Sequence, residues 1–286
     1  MKERLHLYLS PHFDDAIFSC GGLIHAQRSA AERVGVLTLC AGLPEPGTES
    51  TLAKQYLADW SKSGDGMMER RAENANALSS WDVRNLECST PDAIFRTGRG
   101  ASYYQERADL FCEPCSEDAK SVLPLWQEYL RQSVEGEKQI HLYAPLGIGG
   151  HVDHELTRRL GQRMLQSGWN VSFYEDYPYV ELEPNGIQKA QIRFGASQWT
   201  SRSMAIDVQA KIDAIRKYRT QIGRVFGSDE DLVRRVRSFS AEVAADLRPR
   251  EWQRDVLPRS WPRLRFWQPF FHRRAHAERI WLARTR

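Results

Sequence analysis

The chain has 286 residues, 41% of them hydrophobic and 27% charged, with a formal net charge of +3 and a pI near 8.6. This balance fits an ordinary globular protein with one large core and excludes collagen-like, low-complexity or highly charged disordered chains. The mild charge calls for neither nucleic acid nor a membrane surface. No stretch approaches the roughly 18 apolar residues of a membrane span, and MKERLHLYLS carries no leader-like apolar run, so the expected location is cytoplasmic.

Hydrophobic periodicity and turn residues lay out the elements in chain order. Residues 5–9 read as a strand, Gly21-Gly22 opens a helix to about residue 33, and 34–39 read as a second strand, together a βαβ unit. Residues 41–66 read as loop or short helix, 68–78 as a helix and 82–86 as a strand. Residues 91–114 are irregular, with a tyrosine pair at Tyr103-Tyr104. An amphipathic helix follows at 121–133 and a strand at 140–144. The run PLGIGG then leads into HVDH and a helix to about 166, before a strand at 171–174.

Beyond 177 the pattern loosens into a hairpin-like region around Asn185-Gly186, helices at 208–226 and 229–247, and a tail rich in Arg and Trp. Trp252, Trp261, Trp267 and Trp281 are expected to pack that tail on the domain while its arginines stay solvated. The expected fold is therefore α/β: a Rossmann-like, mostly parallel sheet with helices on both faces and a less regular C-terminal extension. It forms one domain, with 1–177 as the core sheet bearing the site and 178–286 packed on it. Five cysteines at irregular spacing read as reduced thiols. Cys112-Glu-Pro-Cys115 has no second C-x-x-C to complete a zinc knuckle.

The chemistry concentrates in two stretches. LSPHFDDAIFSCGG places His12, Asp14 and Asp15 directly behind the first strand, and HVDH places His151, Asp153 and His154 behind a later one. Open parallel sheets gather their ligands at the carboxyl ends of the strands, which makes the two stretches spatial neighbours. Adjacent buried carboxylates cost energy unless paired, and a divalent cation supplies the pairing. Three His and carboxylate ligands with an open position for water make a mononuclear, hydrolytic zinc centre the expectation. At a sharp turn Asp14 and Asp15 can point to different sides of such a site, so they need not share a role. His151 and His154 lie on one face of a first helical turn, so either one is a ligand while the other serves the substrate. Ser10-Pro11-His12-Phe13-Asp14-Asp15 has no G-x-G-x-x-G turn, which argues against a nucleotide-binding oxidoreductase.

PHFDD followed by HVDH resembles the PIG-L/LmbE-like family of metal-dependent N-acetylglucosaminyl deacetylases, which pair an HPDD-type motif with a downstream HxDH. Arg70-Arg71-Ala72-Glu73 with Ala77-Leu78, YEDYPY at 174–179, KIDAIRKYRTQ from Lys211 and AERIW from Ala277 are similar to family segments in the same order. The resemblance implies His12, Asp15 and His154 as metal ligands, one zinc per chain with iron(II) as the alternative, and Asp14 as general base. It also implies a cationic His151 that stabilises the oxyanion or donates a proton, held and tuned by Asp153. The implied reaction removes an N-acetyl or N-acyl group from a GlcNAc-type sugar in a glycoside, glycolipid or glycosylated metabolite.

Arg70 and Arg71 are candidates to reach an anionic or polyol part of that substrate, against the alternative of an Arg70–Glu73 helix pair. Tyr103, Tyr104 and Tyr179 are candidates to stack on a sugar ring. Phe13 stands where the family often has proline, and Ala16 where many members have glutamate; these departures bear on the substrate rather than the chemistry. The competing reading is a catalytically silent, metal-retaining sugar-binding or interaction protein, which has no use for Asp14 and His151.

Overall fold

The first strand is buried on both sides, as a central parallel strand should be. In β1 (Arg4–Ser10) Leu5, Leu7 and Leu9 face one core and Tyr8 the other. The structure is a computed structural model and describes residues 4–44, 47, 49–60, 65–194, 198–245 and 275–284. After β1 come α1 (Asp15–Ser29), β2 (Arg33–Thr38), α2 (Thr51–Trp60), α3 (Gly66–Ser79) and β3 (Arg84–Glu87). A small hairpin of β4 (Thr97–Gly98) and β5 (Ala101–Ser102) precedes α4 (Ser116–Ser133), β6 (Gln139–Pro145), α5 (Val152–Gln166) and β7 (Asn170–Tyr174). The C-terminal part holds α6 (Tyr179–Leu182), α7 (Gly186–Phe194), β8 (Gln198–Ala205), α8 (Val208–Ile215), α9 (Arg219–Val225), α10 (Asp229–Ala245) and β9 (Ala277–Arg284).

Seven strands form one sheet in the order β3-β2-β1-β6-β7-β9-β8. The first five are parallel, β9 is antiparallel to both β7 and β8, and Leu7 lies in register with Gly35 and Leu142. The chain winds outward in one direction from β1 through β2 to β3, then returns to β6 on the other side of β1. That reversal opens a crevice beyond the carboxyl ends of β1 and β6, where doubly wound sheets hold their ligands. Helices cover both faces, as expected. Trp126 and Leu130 of α4, with Leu156 and Leu160 of α5, pack on the leucine face of β1. Ile17 and Ile24 of α1, with Ile212 of α8 and Leu232 of α10, pack on the Tyr8 face. A third apolar cluster, including Phe13, Trp60, Ile94 and Val152, lies among the loops around the crevice, so Phe13 is a core residue.

Four elements differ from the sequence reading. α1 begins at Asp15 rather than at the glycines, which sit in its interior; a Cβ on Gly22 would come within 2.6 Å of Ile206, so this position needs the bare backbone. The region read as a hairpin is helical, α6 and α7. The helix expected over 208–226 breaks at Tyr218, whose buried hydroxyl donates to Asn74 Oδ1 at 2.9 Å. Finally, 198–205 and 277–284 are strands of the main sheet, and Trp281 belongs to β9. Trp252, Trp261 and Trp267 lie outside the described residues. Among the described residues no helix is long and apolar enough to cross a membrane. All five cysteines are free thiols.

Candidate metal centre

The turn after β1 is built by its own side chains. Ser10 Oγ receives the Ala16 N–H at 3.0 Å and donates to the His12 carbonyl at 2.5 Å, while Asp15 Oδ2 receives the His12 N–H at 2.8 Å. Asp14 occupies the N-cap position of α1 without capping it. Its carboxylate instead receives Arg70 Nη2 at 3.0 Å, and the Arg70 guanidinium lies over the Trp60 ring at 4.5 Å. Arg70 therefore does not form the alternative helix pair with Glu73, which is occupied by the Thr220 N–H and hydroxyl.

The second motif opens α5, with His151 at its N-cap accepting the Asp153 N–H on Nδ1 at 3.3 Å. His154 gives Nδ1 to Asp176 Oδ1 at 2.7 Å and turns Nε2 toward Asp15 Oδ2 at 3.3 Å. His12 likewise has Nδ1 at 3.2 Å from Asp15 Oδ2 and Nε2 at 3.1 Å from Asp153 Oδ2. Each imidazole thus leans one nitrogen on a buried carboxylate and presents the other beside Asp15, the arrangement in which a carboxylate behind the ring orients a metal-ligating histidine. The donor atoms of His12, Asp15 and His154 lie within 4.8 Å of one another.

His12, His151 and Asp153 form a second such cluster. There, however, both Asp153 oxygens are already engaged: Oδ1 by Arg96 at 2.6 Å, and Oδ2 by the Ala93 N–H at 3.0 Å as well as by His12. Asp153 therefore has no uncommitted oxygen to offer as a ligand in that cluster.

The electrostatics agree with a site made for a cation. Burial disfavours charge on His154, but Asp15 and Asp176 outweigh it and push its pKa up to about 10. Burial also opposes charge on His12, and Asp92, Asp15 and Asp153 overcome it. Asp15 is held well below the carboxylate range because His154 and His12 outweigh its own burial. Carboxylates that draw protons onto two imidazoles, one buried and one partly buried, mark a local excess of negative charge, which a divalent ion bound by two histidines and an aspartate would neutralise.

His151 departs from the expected imidazolium. Burial, and then the positive charge of His12, push its pKa down to about 3, and its Nδ1 is an acceptor. The Asp153 carboxylate serves His12 and Arg96, so Asp153 orients His151 through its main-chain N–H. Neutral His151 with Nδ1 accepting carries its proton on Nε2.

Of the substrate candidates, Tyr179 reaches the centre: its ring meets His154 edge-on at 5.4 Å and rests on Gly149. Arg71 is spent on the Ala41 carbonyl and Glu87. Tyr103 packs on Gly98 and Tyr104, and Tyr104 is buried with its hydroxyl on Asp118. Sequence reasoning missed Asp92, Arg96, Asp118 and Asp176. Asp176 stands at the carboxyl end of β7, the same position relative to its strand that singled out the histidine motifs. Asp92 and Arg96 come from the irregular segment, which has no periodicity to reveal them, and Asp118 lies in the first turn of α4, ahead of the expected helix start.

Fold and site together define an α/β protein whose doubly wound sheet carries a largely sheltered donor set of two histidines and one carboxylate at its switch point. Residues 7–165 match the family described as PIG-L: GlcNAc-PI de-N-acetylase, and the chain belongs to that family. It is 29% identical over 249 residues to a 2'-N-acetylparomamine deacetylase from Niallia circulans, covering 80% of this chain and 85% of that protein. A 2'-N-acetylparomamine deacetylase from Streptomyces fradiae is 26% identical over 271 residues, covering 88% and 84%. The zinc-inhibited form of teicoplanin deacetylase shares the fold, with a TM-score of 0.74, 19% identity and 97% of each chain covered.

Proposed function

We propose that this protein is a metal-dependent deacetylase that hydrolyses the N-acetyl or N-acyl group of an amino sugar carried on a larger molecule, with zinc as its metal. The observation that carries the reading is the placement of Asp14. It is free of capping duty, held by Arg70, and next in the chain to Asp15 of the donor set. The names of the two curated relatives favour a GlcNAc-type ring within an aminoglycoside-like glycoside as the first substrate to try.

A divalent ion on His12, Asp15 and His154 would polarise the amide carbonyl and acidify a water molecule. Asp14 takes the proton of the attacking water through the oxygen that Arg70 leaves free. His151 donates its Nε2–H to the carbonyl oxygen as negative charge grows there. The leaving amine collects its proton from Asp14 as the carbon–nitrogen bond breaks. The N-termini of α1 and α5 both open on the site, and their dipoles favour that developing charge. Tyr179 offers a ring face for the sugar.

The test is acetate release from 2'-N-acetylparomamine and simpler N-acetylglucosaminides by the zinc-loaded protein, with Asp14→Asn alongside. Turnover lost in the variant supports the reading. Stoichiometric zinc uptake without turnover on any N-acyl sugar would favour the silent binding protein instead.

A further inference from the structure

Arg96 has no part in the chemistry above, yet its buried guanidinium is fully committed. It grips Asp118 with two bonds, Nε at 2.9 Å and Nη2 at 2.8 Å, reaches Asp153 Oδ1 at 2.6 Å, and gives Nη1 to the Pro91 carbonyl at 3.1 Å. Asp118 is completely buried and also takes the Tyr104 hydroxyl at 2.7 Å. Three buried charges are a poor way to stabilise a core, because desolvation offsets most of their attraction. They earn their place only if the geometry they fix is used.

That geometry ends on His12. Asp153 is pinned at both oxygens, by Arg96 and by the Ala93 N–H, so its carboxylate cannot rotate, and Oδ2 meets His12 Nε2. Asp92 Oδ2, at 3.3 Å from the same nitrogen, is a rival partner toward which the ring could turn if Asp153 were loose.

We propose that Arg96 is a positioning residue for the metal ligand His12: clamped by Asp118 and Tyr104, it locks Asp153 so that His12 Nε2–H is held and Nδ1 is left to the metal. This rests on the ligand assignment proposed above. It also gives the irregular segment between β3 and α4 a task, since Pro91, Ala93, Arg96 and Tyr104 all belong to the clamp that Asp118 of α4 closes.

The experiment measures zinc affinity by chelator competition, and the visible spectrum of the cobalt(II)-substituted protein, for the full chain and for Arg96→Lys, Asp118→Asn and Tyr104→Phe. Arg96→Lys and Asp118→Asn should bind zinc about 10- to 100-fold more weakly. Tyr104→Phe, which loses a single hydrogen bond, should lose about two- to fivefold. All should show shifted cobalt bands with wild-type circular dichroism. Folded variants with zinc affinity within about twofold of wild type and an unchanged cobalt spectrum overturn the proposal. If Arg96→Lys does not fold, Asp118→Asn and Tyr104→Phe decide by the same criteria. A wild-type protein that takes up no zinc overturns the ligand assignment and this inference with it, whereas tight wild-type binding with unaffected variants overturns the positioning role alone.

Discussion

Arg70 and Asp14 are joined at 3.0 Å across 56 residues of sequence, both buried, at the one position of α1 where an aspartate would ordinarily cap the helix. Helix capping has been passed to Ser10, and the Asp14 carboxylate is aimed by a guanidinium that is itself braced on Trp60. Asp14→Asn should therefore lower kcat about 10²- to 10⁴-fold, as loss of a general base does, while zinc content stays at the wild-type level. Arg70→Met should lower kcat by a smaller factor with the same zinc content. Steady-state kinetics with metal analysis checks both, and full activity in Asp14→Asn would remove that residue from the mechanism.

Removing the metal should cost stability as well as activity. A ligand that binds only the folded state contributes about 2.7 kcal/mol at a hundred times its Kd. Calorimetry of chelated and zinc-supplemented protein should show Tm rising with zinc in the wild type and much less in His154→Ala, which lacks a ligand. An equal rise in both would place the metal elsewhere.

Gly149 tests the Tyr179 wall. It has φ +87°, and a Cβ there would come within 2.5 Å of the Tyr179 ring. Gly149→Ala should therefore displace the ring from His154 and destabilise the fold by roughly 1–3 kcal/mol, the usual cost of a non-glycine residue in such a conformation. KM should rise more than kcat falls. Tyr179→Phe keeps the ring and should stay near wild type; a large loss there would mean that the hydroxyl, not the ring face, is used.

What the sequence makes legible is whatever has local period or a motif. The βαβ order, the parallel sheet and the two histidine stretches follow from apolar runs ending at polar clusters. The strands β8 and β9 are opaque for a physical reason. In AERIWLAR the alternation is broken by Glu278, a charged side chain that is buried because it has partners far away in sequence. QWTSRSMA has few apolar residues because it forms an edge of the sheet. Arg96, Asp118 and Asp92 escape notice for the same reason as Glu278: ion pairs between distant residues leave no spacing to read. Arg70 is half legible. Its helix shows it as a candidate, but the choice between Glu73 and Asp14 is made by tertiary packing.

His141 supplies a pH dependence outside the metal centre. It lies in register with His6, stacks on Tyr143 at 4.4 Å and bonds Ser172 at 2.8 Å. Burial, and then the proximity of His6, push its pKa down to about 3, against about 6.5 in an unfolded chain. Between those values the unfolded state binds the extra proton, so stability falls as the pH is lowered through that window and is unaffected by this group above it. His141→Gln should flatten the acid limb of a stability profile by up to about 1.4 kcal/mol per pH unit. Denaturant midpoints at roughly pH 4, 5, 6 and 7 supply the comparison; parallel profiles for the two proteins would rule out His141 as the source.

Lys211 and Glu278 form a buried pair at 2.8 Å. Lys211→Ala strands Glu278 without its cation and should cost roughly 3–5 kcal/mol, whereas the double replacement Lys211→Met with Glu278→Gln should recover part of that loss. A double-mutant cycle by chemical denaturation reads the coupling directly, and additive losses would deny it.

The same pair has a consequence for how the protein is made. Glu278 receives the main-chain N–H groups of Gly22 and Leu23, 256 and 255 residues away, and Lys211 reaches the Ser19 carbonyl in the same helix. The helix that begins at Asp15 is thus stapled in its middle by a strand 255 residues further along the chain. During translation this helix emerges early but lacks its anchor until β9 leaves the ribosome, so the nascent chain carries His12 and Asp15 well before it has the framework to hold them rigidly.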